Sequence, residues 1–163
     1  HSLSCQTNLQ LAADHPEDVL GLVLAAPTGE GGSVIRLASQ AFGLLRDLRH
    51  ESLKLASLVA EAYLRAGPGR IFRTWRMGAR HDPVALLSRI EVPGLVIIGE
   101  HDPVVDPAFA RLITAGLADG EMFVVPRAAH GVIFDETGAF NAAVVRFLRR
   151  IASRTAELPA EEY

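Results

Sequence analysis

Two short runs, LGLVLAA at residues 20–26 and LVIIG at residues 95–99, are apolar at nearly every position. A strand with one face in water alternates apolar and polar residues. A run without that alternation must be covered on both faces, as in parallel sheets sandwiched by helices. The rest of the chain supplies matching elements. After residues 95–99 the pattern predicts a helix at 107–118, a strand at 121–125 and a long helix at 136–151. On that last helix Phe140, Ala143, Val144, Phe147, Leu148 and Ile151 form one apolar stripe. Strand–helix alternation of this kind predicts an α/β fold with about three parallel strands and flanking helices.

The N-terminal half adds a helix at 6–15, stopped by Pro16, because the residue before a proline avoids the α region. After the strand at 20–26, "PTGEGGS" breaks the pattern and three helical segments follow. Ser33 caps one that runs to about residue 48. The next, at 51–66, aligns Leu55, Leu58, Val59, Ala62 and Ala66 and ends at Gly67-Pro68-Gly69. A third covers 70–80. Asp82-Pro83 then opens a short helix to Ile90, an acidic cap followed by proline in the first turn. This helical stretch interrupts the alternation. The expected organisation is an α/β core at 1–28 and 81–155, a helical cap at 29–80 and a fraying polar tail at 156–163.

Composition narrows the function classes. The 163 residues suffice for one domain with a real core, and 49% are hydrophobic against 21% charged. A net charge of −3 leaves no footprint for nucleic acid or an anionic membrane. The single cysteine, Cys5, excludes an internal disulfide and a Cys-rich zinc site. A cytoplasmic location fits that usage. No apolar run approaches the roughly 20 residues that span a bilayer. There is no H-E-x-x-H spacing, and "GEGG" lacks the Lys-Ser/Thr of a phosphate loop. No metal and no cofactor are expected.

Ligands of open parallel sheets bind beyond the carboxyl ends of the strands. The strand at 95–99 delivers Glu100, His101 and Asp102 to that edge, and the strand at 121–125 delivers His130. Ser2 lies just ahead of the first helix. Serine, acid and histidine thus occur in that order, 100 and 28 residues apart. The three types make chemical sense together. A serine hydroxyl needs an imidazole to take its proton as it attacks. A carboxylate on the far ring nitrogen fixes the tautomer and stabilises the imidazolium.

Each residue also has a plainer role open to it. Ser2 could cap the first helix. Asp102 could serve the turn before Pro103, leaving Asp106 as the acid. His130 could be a structural histidine in a loop of small residues. His15 suits a helix C-terminus, His50 and His81 fall in charged linkers, and His1 and His101 would shape a site rather than act in it. Cys5 falls inside the helix and reads as a small buried thiol. Phe72, Trp75 and Met77, in "FRTWRMGAR", either line an apolar substrate pocket or pack a core.

The motifs resemble the α/β-hydrolase superfamily, specifically its cap-bearing serine hydrolases. "HSLS" is similar to the end of the nucleophile elbow G-x-S-x-G, and "HPEDVLGLVLAAPTGE" to the helix end and strand that follow it. "VPGLVIIGEHDPVV" resembles the segment bearing the family's acid, and "VVPRAAHGVIFDE" the one bearing its histidine. The resemblance covers nearly the whole chain, as the C-terminal part of such a protein. It implies that Ser2 is the nucleophile, His130 the base and Asp102 its orienting acid. It also implies that the Leu3 amide is one oxyanion donor. The implied substrate is a small ester, thioester, lactone or related carbonyl compound. Carbon–carbon bond hydrolases share the triad and stay open, as does an inactive fragment or a binding module on the same scaffold. Serine at the elbow speaks against branches that use aspartate there.

Two departures stand out. Ser4 replaces the elbow's last glycine, where the sharp turn needs a small residue. The first elbow glycine, its strand and the loop supplying a second oxyanion amide are not within the sequence. Three expectations follow. Ser2 should fray, this chain by itself should be inactive, and the strand at 20–26 should offer an open edge. That edge would take the N-terminal part of the same protein or another chain.

Overall fold

A computed structural model describes residues 1–29 and 53–156. The expected helix from Ser33 to about residue 48, His50 and the polar tail lie outside the described residues.

The elements are α1 (Ser4–Asp14), β1 (Leu22–Ala25), α2 (Leu53–Ala66), α3 (Pro68–Gly78), β2 (Gly94–Gly99), α4 (Pro107–Gly116), β3 (Gly120–Val125), α5 (Val132–Asp135) and α6 (Thr137–Ala156). Two short 3₁₀ turns, Pro16–Asp18 and Val84–Arg89, join them. The three strands form one parallel sheet in the order β1-β2-β3. Ala25 pairs with Ile97, and Gly99 with Val125. All three strands therefore end at the same edge.

β2 is buried at every position, as expected of the central strand in a sheet covered on both faces. On one face lie α1, α4 and the Val84–Arg89 turn. Gly94 lies against Leu117 just beyond α4, and Gly120 against the Thr114 carbonyl within it. α6 covers the other face. The guanidinium of Arg146 stacks over the Phe123 ring, and Ile151 and Phe147 close on Gly21. Leu9, Leu24, Leu95, Ile97, Ile113 and Phe147 form the fully buried centre.

Several predicted boundaries move by one or two residues. Leu20, placed by sequence in the strand, lies outside β1 and is 73% exposed. The predicted stripe on α6 buries Ala143, Phe147 and Ile151, with Phe140 and Val144 packed beside them. Leu148 is 52% exposed. It sits about 100° round the helix from Phe147, and among the described residues α6 rests on a three-stranded sheet with β3 at its edge. The stripe on α2 differs more. Leu58 and Ala62 are exposed and Val59 and Ala66 half-buried, while the side chain of Leu55 lies outside the description. The short helix expected after Asp82-Pro83 is the Val84–Arg89 3₁₀ turn, with Pro83 and not Asp82 at its cap position. Asp82 Oδ1 still accepts the N–H groups of Val84 and Ala85 at 3.1 and 3.3 Å.

Candidate active site

Ser2 opens the site. It precedes α1 with φ 54°, in the left-handed region that costs an ordinary side chain roughly 1–3 kcal/mol unless its surroundings enforce it. Here they do. The Ser2 N–H donates to the Ala25 carbonyl at 2.8 Å, and the buried Cys5 thiol donates to the same oxygen at 3.4 Å. The turn expected from sequence to fray is thus tied to the end of β1, which removes the fraying on which the expected inactivity of this chain rested. A capping bond from the Ser2 side chain is absent. Leu3 is the residue at the cap of α1, and no side chain caps that helix. Ser2 Oγ is turned elsewhere.

It is turned toward His130, whose Nε2 lies 3.0 Å away. His130 stands in the loop between β3 and α5 and is buried. Its Nδ1 lies 3.0 Å from Asp102 Oδ2 and 3.2 Å from Oδ1. The side chains of His130 and Asp102 are 5% and 2% exposed. A carboxylate only accepts, so Nδ1 carries the proton and Nε2 is the acceptor facing the Ser2 hydroxyl. Asp102 Oδ1 also accepts the N–H groups of Val104 and Val105 at 2.8 and 3.0 Å. Those bonds fix the carboxylate before it meets the histidine. Such an array can take a proton from a serine and hold the imidazolium that results.

The alternative acid has another task. Asp106 caps α4 by accepting the Ala108 N–H at 2.7 Å. Cys5 is fully buried, and burial pushes its thiol above the ordinary range. Leu3, the residue after the serine, leaves its N–H without a backbone acceptor among the described residues. Leu3 also packs on Gly78, which brings the end of α3 against the turn. On α3, Phe72 and Met77 are exposed and Trp75 is half-buried.

The histidine loop contains contacts that sequence reading did not assign. Glu100 Oε2 accepts the Arg127 N–H at 2.8 Å, and the His101 N–H donates to the Ala128 carbonyl at 2.9 Å. Asp135 Oδ2 takes the Ala129 N–H at 3.4 Å. Its carboxyl is pushed above the usual range, first by burial and then by the neighbouring Glu136 charge, against the Ala129 bond. His1 Nε2 donates to the His130 carbonyl at 2.9 Å. Gly99 ends β2 under this loop, so close to the Ala128 and Ala129 carbonyls that no side chain fits. The glycine in "IIGEHD" was the available signal for that approach.

His81 pairs with the side chain of Gln10 at 3.0 Å. Among the described residues His15, Glu17 and Asp18 bring donor atoms within 4.8 Å of one another, all exposed. Also among the described residues, no helix is long and apolar enough to cross a membrane.

A family model described as TAP-like protein matches residues 72–161, more than half of the chain. The chain belongs to this TAP-like α/β-hydrolase family. The matched region contains Asp102 and His130 and begins well after Ser2. Solved structures agree in fold. Est816, described as an N-acyl homoserine lactone degrading enzyme, aligns with TM-score 0.74 at 24% identity over 90% of this chain and 64% of its own. A thermophilic esterase from Thermogutta terrifontis aligns with TM-score 0.61 at 18% identity over 92% and 63%. The N-formylmaleamic acid deformylase of Pseudomonas putida S16 aligns with TM-score 0.64 at 16% identity over 88% and 64%. The chain spans less than two thirds of the length of each of these structures. No curated protein matches the sequence.

Proposed function

We propose that this chain carries the Ser2–His130–Asp102 triad of a serine hydrolase acting on a small ester, thioester, lactone or related carbonyl substrate. The observation that carries the reading is the position of His130. One ring nitrogen faces Ser2 Oγ at 3.0 Å and the other faces Asp102 at 3.0 Å. In this reading Ser2 Oγ bonds to the substrate carbonyl carbon as its proton passes to His130 Nε2. The Leu3 N–H donates to the oxyanion that forms. His130 returns the proton to the leaving group as the carbon–heteroatom bond breaks. Water then attacks the acyl-enzyme by the same route, releasing the acid and restoring Ser2. Asp102 keeps the tautomer throughout and stabilises the imidazolium.

The left-handed backbone of Ser2 supports this reading over a helix cap. A capping residue takes extended backbone and bonds the helix with its side-chain oxygen, whereas Ser2 has left-handed backbone and offers the helix only its carbonyl, which accepts the Cys5 N–H at 3.1 Å. The deformylase, esterase and lactone-degrading neighbours support an acyl carbonyl as the electrophile without choosing among them. Phe72, Trp75 and Met77 would contribute apolar surface to the substrate side through α3.

The test is labelling with a fluorophosphonate, together with a panel of short esters and lactones. The expected result is one adduct on Ser2, lost in Ser2→Ala, with hydrolysis lost in parallel. Labelling that persists in Ser2→Ala, or an adduct on another residue, would reject the assignment.

A further inference from the structure

We propose that His1 and Glu100 are positioning residues, two cross-ties that hold the His130 loop against the segments bearing the other two members of the triad. The inference rests on the triad reading above and extends it to groups that touch no substrate.

The loop that carries His130 needs such support. It connects β3 to α5 without pairing to a strand, and Arg127 within it has left-handed backbone, φ 64°. Irregular backbone of this kind persists only where its surroundings over-determine it. Besides Asp135 of α5, which takes the Ala129 N–H, two side chains from the segments bearing the other triad members bracket it. Glu100 Oε2 accepts the Arg127 N–H at 2.8 Å. His1 Nε2–H donates to the His130 carbonyl at 2.9 Å. His1 immediately precedes Ser2, and Glu100 is two residues before Asp102. Each tie therefore starts from a segment that already holds one triad member and ends on the loop that holds the third.

These ties do not duplicate the triad's own hydrogen bonds. Those bonds end on the imidazole, which can turn about its side-chain torsions. The cross-ties end on backbone at residues 127 and 130 and set where the side chain starts. The rings of His1 and His130 lie with centroids 5.0 Å apart and tilted by 49°, so the His1 bond goes to the carbonyl and the ring does not stack. Glu100 has a half-exposed side chain and lies 3.9 Å from His101, a contact that in water is worth little. Its bond to a backbone N–H in left-handed conformation is the one with a structural consequence. Displacements of about 1 Å at a reacting group can cost about 100-fold in rate, so loosening this loop should appear in kcat before it appears in substrate affinity.

The substitutions are His1→Ala, Glu100→Ala, and the conservative His1→Gln and Glu100→Gln. Glutamine at position 1 still offers an N–H near the Nε2 position, and glutamine at 100 still offers an acceptor oxygen. Two readouts are taken: ester hydrolysis with fluorophosphonate labelling, and amide hydrogen exchange across residues 126–131. The alanine variants should lower kcat and the labelling rate about 10–100-fold with KM changed by less than about twofold. They should also speed exchange in the loop while leaving β2 protected and the melting temperature nearly unchanged. The glutamine variants should recover most of both signals.

Alanine variants with wild-type labelling and wild-type loop exchange would overturn the proposal, as would glutamine variants as impaired as the alanine ones. If the unmodified protein shows no adduct on Ser2 while loop exchange still follows the alanine and glutamine pattern, the cross-ties stand and the triad reading falls.

Discussion

Ser2 and Ala25 are joined by a 2.8 Å backbone hydrogen bond from the Ser2 N–H to the Ala25 carbonyl, and this bond holds a serine in left-handed backbone at the end of the sheet. The tie couples stability to the site. The same φ that aims Oγ at His130 strains the chain, and stability and activity should therefore pull apart at this position.

Ser2→Gly should be more stable than Ser2→Ala by about 1 kcal/mol, because glycine adopts positive φ without the Cβ clash. Both should be inactive. Urea denaturation of the two variants checks it, and equal midpoints would mean that the strain is absent.

Asp102→Asn should lower kcat about 10³–10⁴-fold with little loss of stability. The Asn Oδ1 can go on accepting the Val104 and Val105 N–H groups, which turns the amide N–H toward His130 Nδ1. That favours the tautomer with its proton on Nε2, which no longer accepts from Ser2. Asp106→Asn should keep activity, since Asp106 serves only the α4 cap among the described contacts. Steady-state kinetics on the two variants discriminates the acids.

Gly99→Ala should destabilise the protein by about 1–3 kcal/mol, the usual cost of overpacking, and reduce activity beyond what the loss of folded protein explains. The added Cβ meets the Ala128 and Ala129 carbonyls, which are backbone and cannot rotate away. Relief comes from pushing the loop that bears His130. A melting curve combined with kcat per folded molecule measures both parts.

Asp135→Asn should raise stability at neutral pH. Burial holds the Asp135 carboxyl above its ordinary value of 3.8. The folded state therefore retains the proton longer than the unfolded chain, and ionisation costs stability. That contribution is intact below about pH 4 and is lost as pH rises through the folded-state value. Asparagine keeps an oxygen for the Ala129 N–H and carries no charge. The stability gap between variant and wild type should be present at pH 7 and close near pH 4, as followed by thermal unfolding across pH. A gap independent of pH would show that ionisation is not its cause.

Cys5 should react slowly with iodoacetamide in the folded protein and rapidly in urea. Its sulfur is buried, its thiol is pushed above the ordinary range by that burial, and only the thiolate attacks. Rapid alkylation without denaturant would mean that α1 opens readily from the end of β1.

Much of the fold was legible because its signals are local. Two-sided apolar runs marked β1 and β2, and the proline and glycine stops lay close to the observed ends of α1 and α2. Asp102 and His130 could be placed at one edge because a parallel sheet presents residues just after its strands there, and each sits shortly after such a run. The α2 stripe misled, since periodicity reports which residues share a face and is silent on whether anything covers that face. Leu148 misled for a related reason: the width of the buried stripe depends on how much sheet lies beneath the helix.

The sequence by itself determined the parallel α/β class, the order of Ser2, Asp102 and His130 along the chain and the exclusion of a disulfide within these 163 residues, because each follows from residue type and short-range pattern. Only the tertiary structure decided which aspartate meets the histidine. Asp102 and Asp106 are four residues apart and both precede prolines, and they differ only in where the loop turns. The left-handed backbone of Ser2 and the bonds from His1 to His130 and from Glu100 to Arg127 were likewise decided there. They join residues 129 and 27 positions apart. Contacts over such separations exist only once the sheet has brought its strand ends to one edge.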